Sequence, residues 1–179
     1  MGIRTPGGWL LFATWSWAQM VDCACDVRNP ESLKARQCSL CAEAEKQTAD
    51  VFFVKDINPR KPNRYLALPR FHGPAGHRLA DLPADHRTKL WTAAIQKARE
   101  LWGNQWALAI NGDLVRTQCH THIHIGKLLP GVETGQFTEI DSPDQIPVPD
   151  QDGLWIYQGP NGKLRVHRGE QITETVLLR

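Results

Sequence analysis

The distribution of apolar and polar residues divides the chain into short β-like runs, one long helical stretch and turn-rich connections. Val51 to Lys55 is a compact β-branched and aromatic run, and Tyr65 to Pro69 is a second, closed by its proline. The intervening Asp56-Ile57-Asn58-Pro59-Arg60-Lys61-Pro62-Asn63-Arg64 is dense in turn formers, so the pair predicts a hairpin. After a loop-like stretch from Phe71 to Leu82, Pro83 and Asp85 open a segment in which Leu90, Ala93, Ala94, Ile95, Ala98, Leu101 and Trp102 recur near helical spacing. Gly103-Asn104 ends it. Trp106 to Ile110 predicts a third strand, Asn111-Gly112-Asp113 a tight turn, and Gln118 to Ile125 a fourth strand. Pro130 to Pro149 is proline- and acid-rich and predicts a surface loop. Leu154 to Tyr157 and Lys163 to His167, flanking Gly159-Pro160-Asn161-Gly162, predict a terminal hairpin, with Glu174 to Leu178 as a last strand. Upstream, Leu33 to Thr48 predicts a short helix, with Cys38 and Cys41 near its start or in a preceding knuckle. A hairpin, a long helix and further hairpins predict an α+β fold built on an antiparallel sheet.

The fourth strand reads Cys119-His120-Thr121-His122-Ile123-His124-Ile125-Gly126. Successive side chains of a strand point to opposite faces, which puts His120, His122 and His124 in one row and Thr121, Ile123 and Ile125 in the other. A face lined by imidazoles is a poor core face, whereas the Ile-rich face packs. The bland alternative is a surface strand that merely chelates metals. Imidazole titrates close to neutral pH, so such a row suits a nucleophile, a proton carrier or a metal ligand. His167 predicts a surface residue, and His77 and His86 face solvent from a loop and a helix start.

Composition adds bounds. The 179 residues suit one well-buried domain, and 21 basic against 19 acidic residues give a net charge of +2, which demands neither nucleic acid nor an acidic membrane. Basic residues do cluster locally, at Arg60, Lys61, Arg64 and Arg70 and at Arg116, as a polyanionic substrate would require. Residues 1–22 carry Arg4 and an apolar run from Trp9 to Ala18 too short to span a bilayer. They resemble a secretory leader cleaved near Ala18 or Gln19, which favours export to a periplasm; an apolar N-terminal arm on a cytoplasmic protein is the alternative. Four of the five cysteines, Cys23, Cys25, Cys38 and Cys41, crowd the following segment. They fit either disulfides or, for Cys38-x-x-Cys41, half a zinc site.

Three ordered features carry a resemblance: the alternating histidines; Asp56-Ile57-Asn58-Pro59 leading through Leu66-Ala67-Leu68-Pro69-Arg70 to His72; and Ala109-Ile110-Asn111 before the histidine loop. Over residues 38–129 the chain resembles the histidine triad (HIT) superfamily of nucleotide hydrolases and transferases. Arg116-Thr117-Gln118 followed by His122-Ile123-His124-Ile125 is similar to its CDP-diacylglycerol pyrophosphatase branch. Cys38, Cys41, His72 and His120 are similar instead to a zinc-bearing branch, in which two cysteines and two histidines hold a structural metal. Where the common family pattern has Gln-Ser at the two positions before this strand, the chain has Arg116-Thr117.

The resemblance implies a HIT-like antiparallel sheet with a packed long helix, residues 23–130 as catalytic domain and residues 131–179 as an extension bearing a β-hairpin. It implies hydrolysis of a nucleotide phosphoanhydride, with a nucleotidyltransferase, a CDP-diacylglycerol pyrophosphatase and a non-catalytic zinc-stabilised nucleotide-binding module as alternatives. A homodimer and a monomer are both open, and the substrate is a nucleotide or a nucleotide conjugate. His122 is the expected nucleophile, since a neutral imidazole attacks phosphorus readily, and His124 is expected beside the phosphate oxygens, helping the leaving group depart. Asn111, Arg116, Thr117 and Gln118 would donate to phosphate oxygens. Asp56, with Ile57 beside it, would receive the ribose hydroxyls. Zinc on Cys38, Cys41, His72 and His120 competes with a Cys38–Cys41 or Cys25–Cys41 type of disulfide.

Overall fold

The computed structural model describes residues 38–71, 78–133 and 135–179. The run Val51–Lys55 (β1) pairs antiparallel with Tyr65–Pro69 (β2), Val51 opposite Pro69 and Lys55 opposite Tyr65. Their connection is nucleated by two local side-chain turns: Asp56 Oδ1 accepts the Asn58 N–H at 2.9 Å, and Asn58 Oδ1 accepts the Arg60 N–H at 3.0 Å. The short helix Ser39–Glu45 (α1) precedes this hairpin, and the long helix Ala84–Trp102 (α2) follows it. Five more strands complete the set: Trp106–Ile110 (β3), Ile123–Lys127 (β4), Thr138–Ile140 (β5), Gly153–Gln158 (β6) and Leu164–Glu170 (β7). All seven form one sheet in the order β1-β2-β4-β3-β6-β7-β5, antiparallel at every pairing between neighbours.

Alternation along the central strands creates two different faces. Leu108, Ile110, Ile123, Ile125, Leu154, Ile156, Leu164 and Val166 point to one side, where they pack under Leu90, Trp91, Ala94, Ile95 and Ala98 of α2. Each aliphatic side chain sealed there contributes roughly 1.5–3 kcal/mol. The opposite face carries Ala107, Ala109, Trp155 and Tyr157, covered by Val176 and Leu177. His124 lies between Ile123 and Ile125 and therefore belongs to this second face, in register with Ala109, which is opposite Trp155, which is opposite His167. Gly126 allows the C-terminal segment to lie close, since a Cβ there would stand 3.0 Å from the Leu177 Cβ.

The structure corrects several expected elements. The strand expected over Gln118 to Ile125 runs instead from Ile123 to Lys127, so His120 and His122 precede it. The chain bends at Cys119 and His120, and in this segment His122 Nδ1 lies 2.9 Å from the carbonyl oxygen of His120. The stretch from Pro130 to Pro149 is more than a loop, because β5 within it pairs with β7, and a 3-10 turn forms at Pro143–Gln145. Glu174 to Leu178 is not a strand: a 3-10 turn, Glu174–Val176, is followed by one isolated bridge between Leu177 and Leu128. Within the expected helix from Leu33 to Thr48, the described helical residues are Ser39–Glu45, and residues 33–37 lie outside the described ones. Within residues 131–179, the β6–β7 hairpin and β5 join the same sheet as β1 to β4. No described helix is long and apolar enough to cross a membrane.

Candidate active site

The end of β1, the β1–β2 turn, the loop before β4 and the C-terminal turn converge on a cavity of ≈ 370 Å³. Its lining includes all eight residues expected to act on or bind substrate: Asp56, Ile57, Asn111, Arg116, Thr117, Gln118, His122 and His124. Two larger surface depressions, ≈ 690 and ≈ 680 Å³, are lined by neither histidine nor cysteine.

His122 and His124 meet edge to face, with ring centroids 4.8 Å apart. The bond from His122 Nδ1 to the His120 carbonyl has a chemical consequence. A carbonyl oxygen only accepts, so Nδ1 carries the proton and Nε2 keeps its lone pair. Burial holds the His122 pKa down at about 4, opposed by the bond to His120 and assisted by the nearby Arg116 guanidinium. His124 is 7% exposed, and neither of its ring nitrogens has a hydrogen-bond partner among the described residues. Burial, then the adjacent His122, with Lys61 and Arg64 beyond, depress its pKa to about 3 against the opposing pull of Glu174. Both imidazoles are therefore neutral at neutral pH.

The expected single row of three histidines does not form. The His120 ring turns away, its Nε2 lying 2.7 Å from the Pro69 carbonyl oxygen. That nitrogen donates to Pro69 and ties the histidine loop to the end of β2. His72 and His77 lie outside the described residues.

The other expected contacts divide into those open to the cavity or solvent and those occupied by the protein. Ile57 is 95% exposed at the rim. Thr117 is exposed, and Gln118 Oε1 accepts the Ser39 hydroxyl at 3.0 Å, which links the loop to α1. The Arg116 guanidinium is buried, 3.2 Å from Asp113 Oδ1. Asn111 is committed to the C-terminal turn: its Oδ1 accepts the N–H groups of Thr173 at 3.0 Å and Glu174 at 3.1 Å, and its Nδ2 reaches Glu174 Oε1 at 3.4 Å.

Glu174 is the residue that sequence reasoning missed. Its carboxylate is bonded by Lys61 and by Arg64 Nη1, the latter at 2.7 Å, and its Oε2 stands 3.7 Å from His124 Nδ1. Burial alone would raise its pKa, but His124, Lys61 and Arg64 bring it down to about 2, so the carboxyl is ionised. Arg64 is 2% exposed and also donates to the carbonyls of Leu177 at 2.6 Å and Leu178 at 3.2 Å. His167 likewise differs from expectation: it is 4% exposed and stacks on Trp155, ring centroids 3.7 Å apart and 7° from parallel.

Beside the histidine loop, the sulfurs of Cys38, Cys41 and Cys119 lie within 4.8 Å of one another, a group able to hold a metal ion. This set differs from the expected one in taking Cys119 where His120 was expected. Cys38 and Cys119 each belong to a disulfide, whereas Cys41 is a free buried thiol, which rules out both disulfides expected to involve it. Burial raises the Cys41 pKa to about 11, only partly countered by backbone hydrogen bonds at Cys41 and His120. The three sulfurs thus fit a thiophilic cation only in a fully reduced chain.

No protein-family model matches the chain, and no curated protein matches it.

Proposed function

We propose that the protein is a hydrolase of the histidine triad type, cleaving a nucleotide phosphoanhydride through a nucleotidyl-histidine intermediate and releasing a nucleoside monophosphate. The observation that carries this reading is the tautomer of His122: Nδ1 is spent on the His120 carbonyl, which leaves the Nε2 lone pair in a cavity beside a second neutral imidazole. A nitrogen so held needs no deprotonation before it attacks phosphorus. Lys61 and Arg116, both on the cavity wall, offset the charge of the phosphates, and His124 flanks the reacting centre. The cavity and the resemblance together support a nucleotide as the phosphoryl carrier.

A structural zinc on Cys38, Cys41 and Cys119 in the reduced chain is the second part of this proposal. Thiolate ligands about 2.3 Å from a tetrahedral zinc stand roughly 3.8 Å apart, compatible with sulfurs within 4.8 Å of one another. The ion would tie α1 to the histidine loop and take no part in the reaction.

The test is a substrate panel of nucleotide phosphoramidates, dinucleoside polyphosphates, nucleotide sugars and CDP-diacylglycerol in detergent, run with wild type and with His122→Ala. Release of a nucleoside monophosphate from a water-soluble anhydride, lost in His122→Ala, is the expected result. A strong preference for the lipid conjugate overturns the choice of soluble substrates. Undiminished turnover in His122→Ala overturns the reading as a whole.

A further inference from the structure

We infer that Glu174 is a positioning residue that makes His124 the base for the water-consuming half of the reaction, an assignment that rests on the hydrolase reading above. The geometry begins with an unusual pairing. His124 is buried at the wall of the cavity with both ring nitrogens lacking a hydrogen-bond partner among the described residues, and the carboxylate oxygen Oε2 of Glu174 faces its Nδ1 at 3.7 Å. That separation is longer than a hydrogen bond, and such contacts commonly tighten once charge develops. The carboxylate is held in place from three directions: Arg64 and Lys61 bond it, and Asn111 clamps the backbone N–H groups of Thr173 and Glu174 while its own N–H reaches Oε1.

A fixed carboxylate on the Nδ1 side selects the tautomer with the proton on Nδ1, and so presents the Nε2 lone pair on the other side of the ring. The His122 ring is 4.8 Å from that of His124, which places the base next to any group carried on His122. In the second half-reaction a water oxygen attacks the phosphorus and a P–O bond forms. The bond from phosphorus to His122 Nε2 breaks, and its electron pair returns to that nitrogen. The water proton goes to His124 Nε2, and the imidazolium so formed is stabilised by Glu174. The first half-reaction, with a good leaving group, needs no such base. Glu174 therefore acts selectively on the second step, whereas a counterion serving only Lys61 and Arg64 would not separate the two.

The experiment uses the full chain and the p-nitrophenyl esters of the common nucleoside 5′-monophosphates, whose leaving group departs without a proton. Rapid quenching followed by intact-mass measurement counts the nucleotidyl adduct, while nitrophenolate absorbance follows turnover. In Glu174→Gln the initial burst should keep its wild-type rate, steady turnover should fall roughly tenfold or more, and the adduct should build to most of the protein. His124→Gln should show the same accumulation, and combining the two should add little further loss. Unchanged turnover in Glu174→Gln, or a slower burst with no accumulated adduct, overturns the assignment while leaving the hydrolase reading intact. Absence of any His122-dependent adduct in every protein, with turnover present, overturns both. If Glu174→Gln does not fold, Glu174→Asp takes its place under the same criterion, because the shorter carboxylate withdraws from His124 while keeping its charge.

Discussion

Replacing Arg64 by Met removes the anchor between the β1–β2 hairpin and the C-terminus while leaving most of the side-chain volume in place. Three donor contacts are lost, to Glu174 at 2.7 Å, the Leu177 carbonyl at 2.6 Å and the Leu178 carbonyl at 3.2 Å, at a site 2% exposed. Breaking a buried ion pair from one side costs about 3–5 kcal/mol. Lys61 remains to accompany the Glu174 carboxylate, whose side chain is 19% exposed, so the lower end, about 3 kcal/mol, is expected. For a chain of this size that is a fall in Tm of roughly 10 °C. Urea denaturation followed by circular dichroism should give a lower midpoint with an unchanged slope. Amide exchange adds a local readout. The Leu178 and Leu129 N–H groups, bonded to the Lys127 and Val176 carbonyls, should lose protection before the β3 amides do. A stability loss below about 1 kcal/mol, or uniform exchange across the sheet, would refute the view that Arg64 holds the C-terminal turn in place.

Acid should destabilise the fold earlier than carboxylate chemistry alone requires. With pKa values of about 4 for His122 and about 3 for His124, the unfolded chain binds more protons once the pH falls below the ordinary imidazole value of about 6.5, so stability declines from there toward pH 4. For His122 the full effect is about 3 kcal/mol, and Glu174, whose folded carboxyl lies near 2, adds a further loss below its ordinary value. Denaturation midpoints at pH 7 and 4.5 measure this, and a His122→Gln variant whose pH dependence is as steep as wild type contradicts it. Activity should likewise hold its plateau below pH 6, because the nucleophile stays unprotonated; a limb near 6.5 would contradict the buried neutral state. Elemental analysis should find about one zinc per chain in protein kept fully reduced and none after oxidation, with Cys119→Ser lowering retention as much as Cys38→Ser. Zinc retained by the oxidised chain would refute the three-sulfur assignment.

Local pattern determines much of this fold. The strands at Val51–Lys55, Tyr65–Pro69 and Trp106–Ile110 and the helix at Ala84–Trp102 fall where apolar periodicity and turn residues put them, because each is decided by neighbours a few positions away. The broad α+β class follows from their order. The histidine segment is harder to read, since its strict alternation looks like a strand, whereas the chain bends at Cys119 and His120 and His122 bonds locally to the His120 carbonyl. Glu174 carries no local signal at all. Its partners Lys61 and Arg64 lie 113 and 110 residues away, and the apolar character of Val176-Leu177-Leu178 suggests a strand until the Asn111 clamp is seen. The three sulfurs show the same limit: Cys38-x-x-Cys41 is visible as a pair, but Cys119 joins it only through the packing of α1 against the histidine loop.

The central claim is that His122 Nε2 becomes covalently bonded to phosphorus. Intact-mass measurement of wild-type protein, quenched within milliseconds of mixing with p-nitrophenyl nucleoside monophosphates, tests it most directly. The account predicts a mass increase of one nucleotidyl group, located on His122 by fragmentation, absent from His122→Ala and cleared as nucleoside monophosphate appears. Steady release of nucleoside monophosphate with no adduct at any quench time, or an adduct that persists in His122→Ala, would contradict it.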